Sequence, residues 1–482
     1  MPDEKSSATK GAYNNMSDPT PDVTPEPATP IASEPASNSL TRRRFLQAGA
    51  VGAASALGLA ALGKSVTSAS KPEALPIRYA SANKTQLTLY GLFFIPTELA
   101  AAREIINEFN AQSNTIFVQY VQSSWGAIGT KMTAAFSSGD VPDLFQYYDA
   151  GLVPWAANGL LADLKKLLPA STWTEVVPGT LSVLTTSSGG VIGLPFETET
   201  PLVYYRTDLL GKAGITPATL TSRWTWDQLR SNAQKLNDPK NGVWGINANW
   251  SSSELLFKNG LAWEAGANPI KFSGGNYSIN VNDPGTKTSI EYVQSLFADG
   301  VADPTSFDID NVAYFAAGKC AMLIRGAWAR SDIPSDKGGS TLKWAAMPFV
   351  VGPKANLGTG AAQTLSIPSI AKNKEAAAEF LQWWGKPANV AKICEASGQV
   401  PPNTAAVASL KASVGTTDFW NLALAESPDL QGEPFCPGWL PMLGTVWDPA
   451  MFDYFHGKTT YAEFASKVNS DGTEAVQLAA GA

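Results

Sequence analysis

From Gln86 onward the spacing of apolar residues switches repeatedly between two periods. Gln86 to Leu92 alternates apolar and polar positions until Gly91 breaks the pattern, which predicts a strand. Glu98 to Asn110 sets Leu99, Ile105, Ile106 and Phe109 at near-helical spacing, and Thr115 to Val121 returns to β-branched and aromatic residues. Lys131 to Phe136 predicts a second helix closed by Ser137-Ser138-Gly139. Pro142 to Tyr147 predicts the next strand, and Val153 to Leu168 further helices. Strands alternating with helices predict an α/β fold with a largely parallel sheet covered on both faces. In open sheets of this kind ligands bind beyond the carboxyl ends of the strands. The residues there are Gly91 to Phe94, Ser123 to Trp125 and Tyr147 to Asp149, mostly aromatic and polar.

The region ahead of this pattern has a different character. Residues 1–40 are rich in Ser, Pro, Thr, Ala and acidic side chains, with almost no large apolar residue, so they are expected to be disordered. Residues 41–70 read as an export signal. Thr41-Arg42-Arg43-Arg44-Phe45-Leu46-Gln47 is a twin-arginine address, and Ala48 to Leu62 is the weakly apolar run behind it. That run is too short and too rich in small residues for a membrane span, which needs roughly 20 strongly apolar residues. Ser65 to Ser70 suits cleavage, so the chain from about Lys71 is expected to fold outside the cytoplasm. No Cys follows the run, which excludes a lipid-anchored mature N-terminus.

The remaining roughly 410 residues exceed a single compact core and predict two lobes. A net charge of −7 argues against nucleic acid or an anionic membrane surface as partner. Cys320, Cys394 and Cys436 cannot form a disulfide framework and read as buried thiols, one pair at most being able to close. His456 is the only histidine, which removes His-based triads, His-containing zinc sites and the usual general base. It falls at a helix end, where the dipole favours it as a surface residue. No phosphate-cradling or dinucleotide-binding glycine motif is present. An enzyme on this chain has to work with carboxylates, and Glu197 with Glu199, or Asp140 with Asp143, are the candidates. Any acidic chain offers such pairs, so no catalytic residue, cofactor or metal is expected.

The middle of the chain carries a denser signal. Gly193-Leu194-Pro195-Phe196-Glu197 leads through Tyr204-Tyr205-Arg206-Thr207-Asp208-Leu209 to Trp224-Thr225-Trp226-Asp227-Gln228-Leu229, where Thr225 and Gln228 form a plausible capping box. Four more segments follow the same wording in order: Ser138-Gly139-Asp140-Val141-Pro142-Asp143, Ala157 to Leu164, Phe315 to Trp328, and Lys374 to Trp384. Together they resemble the extracellular solute-binding proteins of family 1, the sugar-binding receptors of ABC importers that include maltose-binding protein. The resemblance covers essentially all of residues 84–470.

It implies a two-lobe receptor with its ligand cleft between the lobes, and chain crossings near Thr198–Pro201, Met347–Pro348 and Val400–Pro401. The N-lobe is then 84–198 plus 349–399 and the C-lobe 200–346 plus 401–470. It also implies a carbohydrate ligand, an ABC permease as partner, and a monomeric, non-enzymatic protein. Carried over by position, Trp328 matches a stacking aromatic and Glu199 a cleft carboxylate on the first crossing. Tyr147 and Asp149 match strand-end positions. Trp250 or Glu254 falls in a segment that walls the cleft from the C-lobe, and Trp439 in a loop that covers it. Gln363 and Trp125 are further candidates. Such a site needs flat aromatic platforms for apolar sugar faces and planar polar groups for hydroxyls.

Two arginines depart from the family wording. Arg206 stands where Asn is usual, and Arg325 is inserted into the Met-to-Gly strand. A buried guanidinium in either place can meet a carboxylate or phosphate, so an anionic solute is one alternative ligand. A secreted carboxylate-dependent glycosidase or lyase is the alternative activity. Tyr204-Tyr205 invites an iron-ligand reading, but neighbours on a strand point to opposite faces.

Overall fold

The computed structural model describes residues 83–307, 309–354, 361–415, 417–426 and 436–480. The tail expected over 1–40 and the signal expected over 41–70 lie outside the described residues. Among those described, no helix is long and apolar enough to cross a membrane.

Two sheets organise the chain. The first carries β1 (Thr85–Gly91), β2 (Ile116–Gln122), β3 (Leu144–Tyr148), β4 (Leu194–Thr198) and β11 (Ala362–Ser366), in the order β2-β1-β3-β11-β4. The second carries β5 (Pro201–Arg206), β6 (Asn247–Ala248), β9 (Met322–Gly326) and β10 (Trp344–Pro348), in the order β10-β5-β9-β6. A hairpin of β7 (Ile270–Ser273) and β8 (Asn276–Ile279) stands apart.

The parallel sheet expected from the alternating pattern is present with one regular exception. In the first sheet β1 pairs parallel with β2 and β3, while β11 runs antiparallel to both β3 and β4. In the second, β6 pairs parallel with β9, while β5 runs antiparallel to both β9 and β10. Each reversed strand is the one that arrives from the other sheet, β5 directly after β4 and β11 after β10. Each is inserted between two strands of the sheet it joins and arrives by crossing from the other sheet, so the same-sheet helical crossover that makes neighbours parallel does not apply to it. Val400 returns beside the first crossing and bridges Thr198.

Local chemistry explains the helices. The Pro96–Gln112 helix opens with Pro in its first turn, where the missing N–H costs nothing, and packs Ala102, Ile105, Ile106 and Phe109 inward. The second helix is longer than the sequence pattern suggests, Trp125–Ser138, and ends on Gly139 in the left-handed conformation. Asp149–Ala157 starts directly after β3, and only a short turn, Leu164–Lys166, follows. The Thr225 capping box is formed. Gln228 N donates to Thr225 Oγ1 at 3.2 Å, and Thr225 N donates to Gln228 Oε1 at 2.9 Å.

β5 has a core on each face. Leu202 and Tyr204 join the cluster that runs from the first sheet to Val312, Phe315 and Leu323, whereas Val203 and Tyr205 join the other cluster, on the opposite face of the second sheet. Tyr204 Oη donates to Ala327 O at 2.9 Å, so the tyrosine pair is structural and faces opposite sides, as strand alternation requires. The Thr404–Val414 helix packs on Pro387–Ser397, and Thr404 N donates to Glu175 O. All three cysteines are free and buried.

Candidate functional site

Beyond the ends of β1 and β3, and facing them from the end of β9, the structure gathers aromatic rings and charges. Phe94 lies three residues past β1 and is 50 % exposed, rare for so large an apolar ring. Its partner is Trp328, two residues past β9. The centroids are 5.6 Å apart and the planes are near perpendicular, an edge-to-face pair. The Arg325 guanidinium lies 4.8 Å from the Trp328 ring centroid. That arginine is held by Glu254, Nη1 donating to Oε2 at 2.5 Å.

Glu254 belongs to a π-helical segment, Ser252–Lys258, a wide turn of the kind often found at functional sites. Lys258, one turn on, donates to Glu254 Oε1 at 3.0 Å, and its ammonium lies 3.6 Å from Glu199 Oε2. It also lies 5.1 Å from the centroid of the Tyr148 ring. Lys258 thus touches a β3 tyrosine, the carboxylate of the first crossing and a carboxylate of its own turn. Burial alone pushes Glu254 upward, but Lys258 and Arg325 outweigh it and hold its carboxyl at about 2. Burial pulls Lys258 down, but Glu254 and Glu199 raise it above the ordinary lysine range.

Glu199 reaches its place because residue 326 is glycine. A Cβ there would lie 2.4 Å from Glu199 Oε1, so the carboxylate packs directly on the β9 backbone. That oxygen has no hydrogen-bond partner. Asp149 is fully buried at the start of its helix, where Oδ1 accepts from Ala150 N at 2.7 Å and Oδ2 from Ala362 N at 3.1 Å. Burial raises its carboxyl to about 6 against those two amides and Lys258. Asp149 therefore ties β11 to the end of β3. Gln363, on β11 opposite Tyr148 and Glu197, is buried with Oε1 unpartnered. The Tyr147 ring packs among Trp125, Tyr148 and Trp155, and a Cβ on Gly151 would lie 2.1 Å from it.

Of the residues singled out in the sequence, Trp328, Arg325, Glu254 and Glu199 therefore meet through Lys258, with Tyr147, Asp149, Gln363 and Trp125 at the adjoining edge of the first sheet. Trp250 and Trp439 do not join them. Trp250 is 0 % exposed, donates from Nε1 to Ser306 Oγ at 3.1 Å and packs on Phe297. Trp439 is 2 % exposed and packs against Phe257 and Trp447. Both are core rings of the second lobe, and the expectation that they line or cover the cleft is corrected. Large flat rings serve either purpose, and sequence position alone does not separate them.

Arg206 is likewise no part of the cleft. It pairs with Asp208 two residues on, Nη2 donating to Oδ2 at 2.6 Å. His456 bridges two carbonyls, those of Phe452 and Pro304, at a helix end. Asp143 accepts from Thr88 N and Asn373 Nδ2, which makes it a structural carboxylate. Among the described residues no group of His, Cys, Asp or Glu is placed to hold a metal ion. Lys258 carried a signal not used in the sequence reading, its position four residues after Glu254. Phe94 and Tyr148 lie in the strand-end segments but carry no wording of their own.

The model of the bacterial extracellular solute-binding proteins matches residues 96–391, which include every strand of the two sheets but β1 and every residue of the cleft network except Phe94. The chain belongs to that family. The solute-binding protein is 25 % identical over 401 residues to an "uncharacterized lipoprotein in oleD 5' region" of Streptomyces antibioticus, covering 78 % of this chain and 84 % of the relative. It is 28 % identical over 293 residues to the mannitol-binding protein of Pseudomonas aeruginosa, with 58 % and 64 % covered. It is 23 % identical over 321 residues to the sn-glycerol-3-phosphate-binding periplasmic protein of Rhizobium meliloti, with 64 % and 74 % covered. Among solved structures it resembles an ABC substrate-binding protein of Listeria monocytogenes in complex with cycloalternan. There the TM-score is 0.70 at 20 % identity, with 81 % of this chain and 98 % of that one covered. Maltose-bound MalE3 of T. maritima superposes with a TM-score of 0.68 at 20 % identity, covering 80 % and 98 %. The fold is that of the two-lobe binding proteins, and the family places the protein outside the cytoplasm.

Proposed function

We propose that this protein is the capture component of an ABC importer, which closes two lobes on a neutral carbohydrate and hands it to a membrane permease without transforming it. The supporting observation is the Phe94–Trp328 ring pair set beside cations that are already neutralised. Sugars present apolar C–H faces, which rings cover, and hydroxyls, which the unpartnered oxygens of Glu199 and Gln363 can accept from. Mannitol, maltose and cycloalternan appear among the ligands of the relatives and structural neighbours.

In this reading the lobes are 84–198 with 349–399 and 200–346 with 401–470, consistent with the strand that each sheet receives from the other. The Thr404–Val414 helix is the exception to that division, since it packs on the Pro387–Ser397 helix of the first lobe. Export by the twin-arginine route and action as a monomer complete the proposal. A thermal-shift panel of mono- and oligosaccharides and polyols tests it, since a ligand that binds only the folded state raises Tm. A shift with a neutral sugar supports it. No shift with any sugar, together with a positive response to amino acids, polyamines or phosphates, overturns it.

A second reading, an anionic solute, draws on Arg325 and Lys258 in the same cleft and on the glycerol-phosphate-binding relatives. It requires the anion to compete with Glu254, which meets both cations and holds Arg325 through a single Nη1 contact. The neutral ligand needs no such competition.

A further inference from the structure

β9 buries Met322, Leu323 and Ile324 before it reaches Arg325. The guanidinium lies over the Trp328 ring, 4.8 Å from the centroid, and is fastened where Nη1 donates to Glu254 Oε2 at 2.5 Å. Nε is buried without a hydrogen-bond partner. A planar guanidinium lays its face on an aromatic ring while its rim bonds a carboxylate, and the ammonium of lysine has no such face.

Glu254 is itself held from the other side. Lys258 donates to its second oxygen, Oε1, at 3.0 Å, so each carboxylate oxygen has one cation. The π-helical turn that carries both residues is sunk by Leu255, Leu256 and Phe257 in the core that also holds Trp250 and Trp439. At its start Ser252 N donates to Asp448 Oδ1 at 2.7 Å. A line of contacts thus runs from a fixed base through Glu254 and Arg325 to a ring at the cleft. The ring also packs against the core that holds the first sheet, and against Phe94, which is half exposed.

We propose that Arg325, clamped by Glu254, is a positioning residue for Trp328. It covers one face of the ring, fixes the ring plane and leaves the remaining surface, with Phe94 beside it, to the ligand. Its purpose rests on the carbohydrate reading, but the fixing of the ring requires no sugar.

This role differs from binding charge. Arg325 and Lys258 are already matched by Glu254 and Glu199, so the arginine has no free charge to offer a solute. What it supplies is a flat surface in a set position. An uncharged side chain of similar length fills the same space, but nothing ties it to Glu254, and the ring is then free to turn about its side-chain torsions.

Fluorine NMR of the ligand-free full-length protein, labelled with fluorotryptophan, reads the ring directly. The chain has 15 tryptophans, and the Trp328 line is the one that disappears in Trp328→Phe. Glu254→Gln is the decisive variant, because it leaves Arg325 in place. It is expected to shift and broaden the Trp328 line while those of the core rings Trp250 and Trp439 stay in place, and to add nothing further in the Arg325→Met background. A Trp328 line unchanged by Glu254→Gln overturns the clamp.

Titration with the neutral sugar of largest thermal shift completes the test. Arg325→Met is expected to weaken binding roughly two- to fivefold, the size of a cation–π contact. It is expected to have no effect in the Trp328→Ala background, where the ring through which it acts is gone. An equal loss in both backgrounds shows that Arg325 meets the sugar itself and overturns the positioning role, as does undiminished affinity in Arg325→Met. Should Arg325→Met fail to fold by circular dichroism, Arg325→Gln takes its place in both experiments. If no sugar binds while Glu254→Gln still moves the Trp328 line, the carbohydrate reading falls and the clamp on the ring stands.

Discussion

Phe94 and Trp328 meet edge to face, with ring centroids 5.6 Å apart, from the ends of strands in two different sheets. Phe94 is half exposed, so the pair offers an accessible apolar surface, while the Trp328 ring also packs against the core that holds the first sheet. A sugar ring can cover such a surface. Loss of one ring removes a contact worth roughly 1–3 kcal/mol. Phe94→Ala is therefore expected to weaken binding while the ligand-free Tm changes little, as read by calorimetric titration and a thermal melt.

Trp250 and Trp439 supply the opposite case. Each is enclosed by aromatic neighbours in the second core. Trp250→Ala is expected to lower stability by about 3–5 kcal/mol, with affinity per folded molecule unchanged. Denaturant unfolding combined with titration of the folded fraction checks both parts.

Gly326 carries the close approach of Glu199. A methyl group at this position collides with the carboxylate, and relief needs either the β9 backbone or Glu199 to move. Overpacking of this kind costs about 1–3 kcal/mol. Gly326→Ala is expected to lose ligand affinity beyond its loss of stability, because Glu199 no longer reaches Lys258. Equal affinity in the variant would show that Glu199 is not part of the site.

Glu254 holds two cations at once, and its own carboxyl is depressed to about 2. A depressed acid contributes stability that is present above its unfolded value near 4.3 and is lost as pH falls towards 2. Denaturant unfolding of the wild type between pH 5 and 2.5 is expected to show this loss, and Glu254→Gln to show a smaller slope. At pH 7 the variant leaves Arg325 and Lys258 poorly matched, a cost on the order of 3 kcal/mol for a buried pair.

Much of this organisation was legible in the sequence because period and punctuation carry it. The Gly91 break placed the end of β1, the Thr225 and Gln228 spacing gave the capping box, and the Met322 to Trp328 wording led to the cleft strand. The reversal of β5 and β11 was not legible, since strand direction depends on where a chain re-enters a sheet and not on local alternation. Lys258 was missed for a related reason. A lysine four residues after a glutamate reads as a solvated helix pair, and only the fold brings Glu199 and Tyr148 to it. Trp250 and Trp439 were misplaced because burial is decided by neighbours distant in sequence.

The most direct test of the account is calorimetric titration of wild type and Trp328→Ala with the neutral sugar that gives the largest thermal shift, alongside sn-glycerol 3-phosphate. The account predicts that the sugar binds the wild type, and that Trp328→Ala weakens it at least tenfold, the equivalent of about 1.4 kcal/mol, with little change in ligand-free Tm. It predicts no comparable binding of the phosphate. Tight binding of the phosphate with none of the sugar would contradict it, as would undiminished sugar affinity in a Trp328→Ala variant of greatly lowered stability.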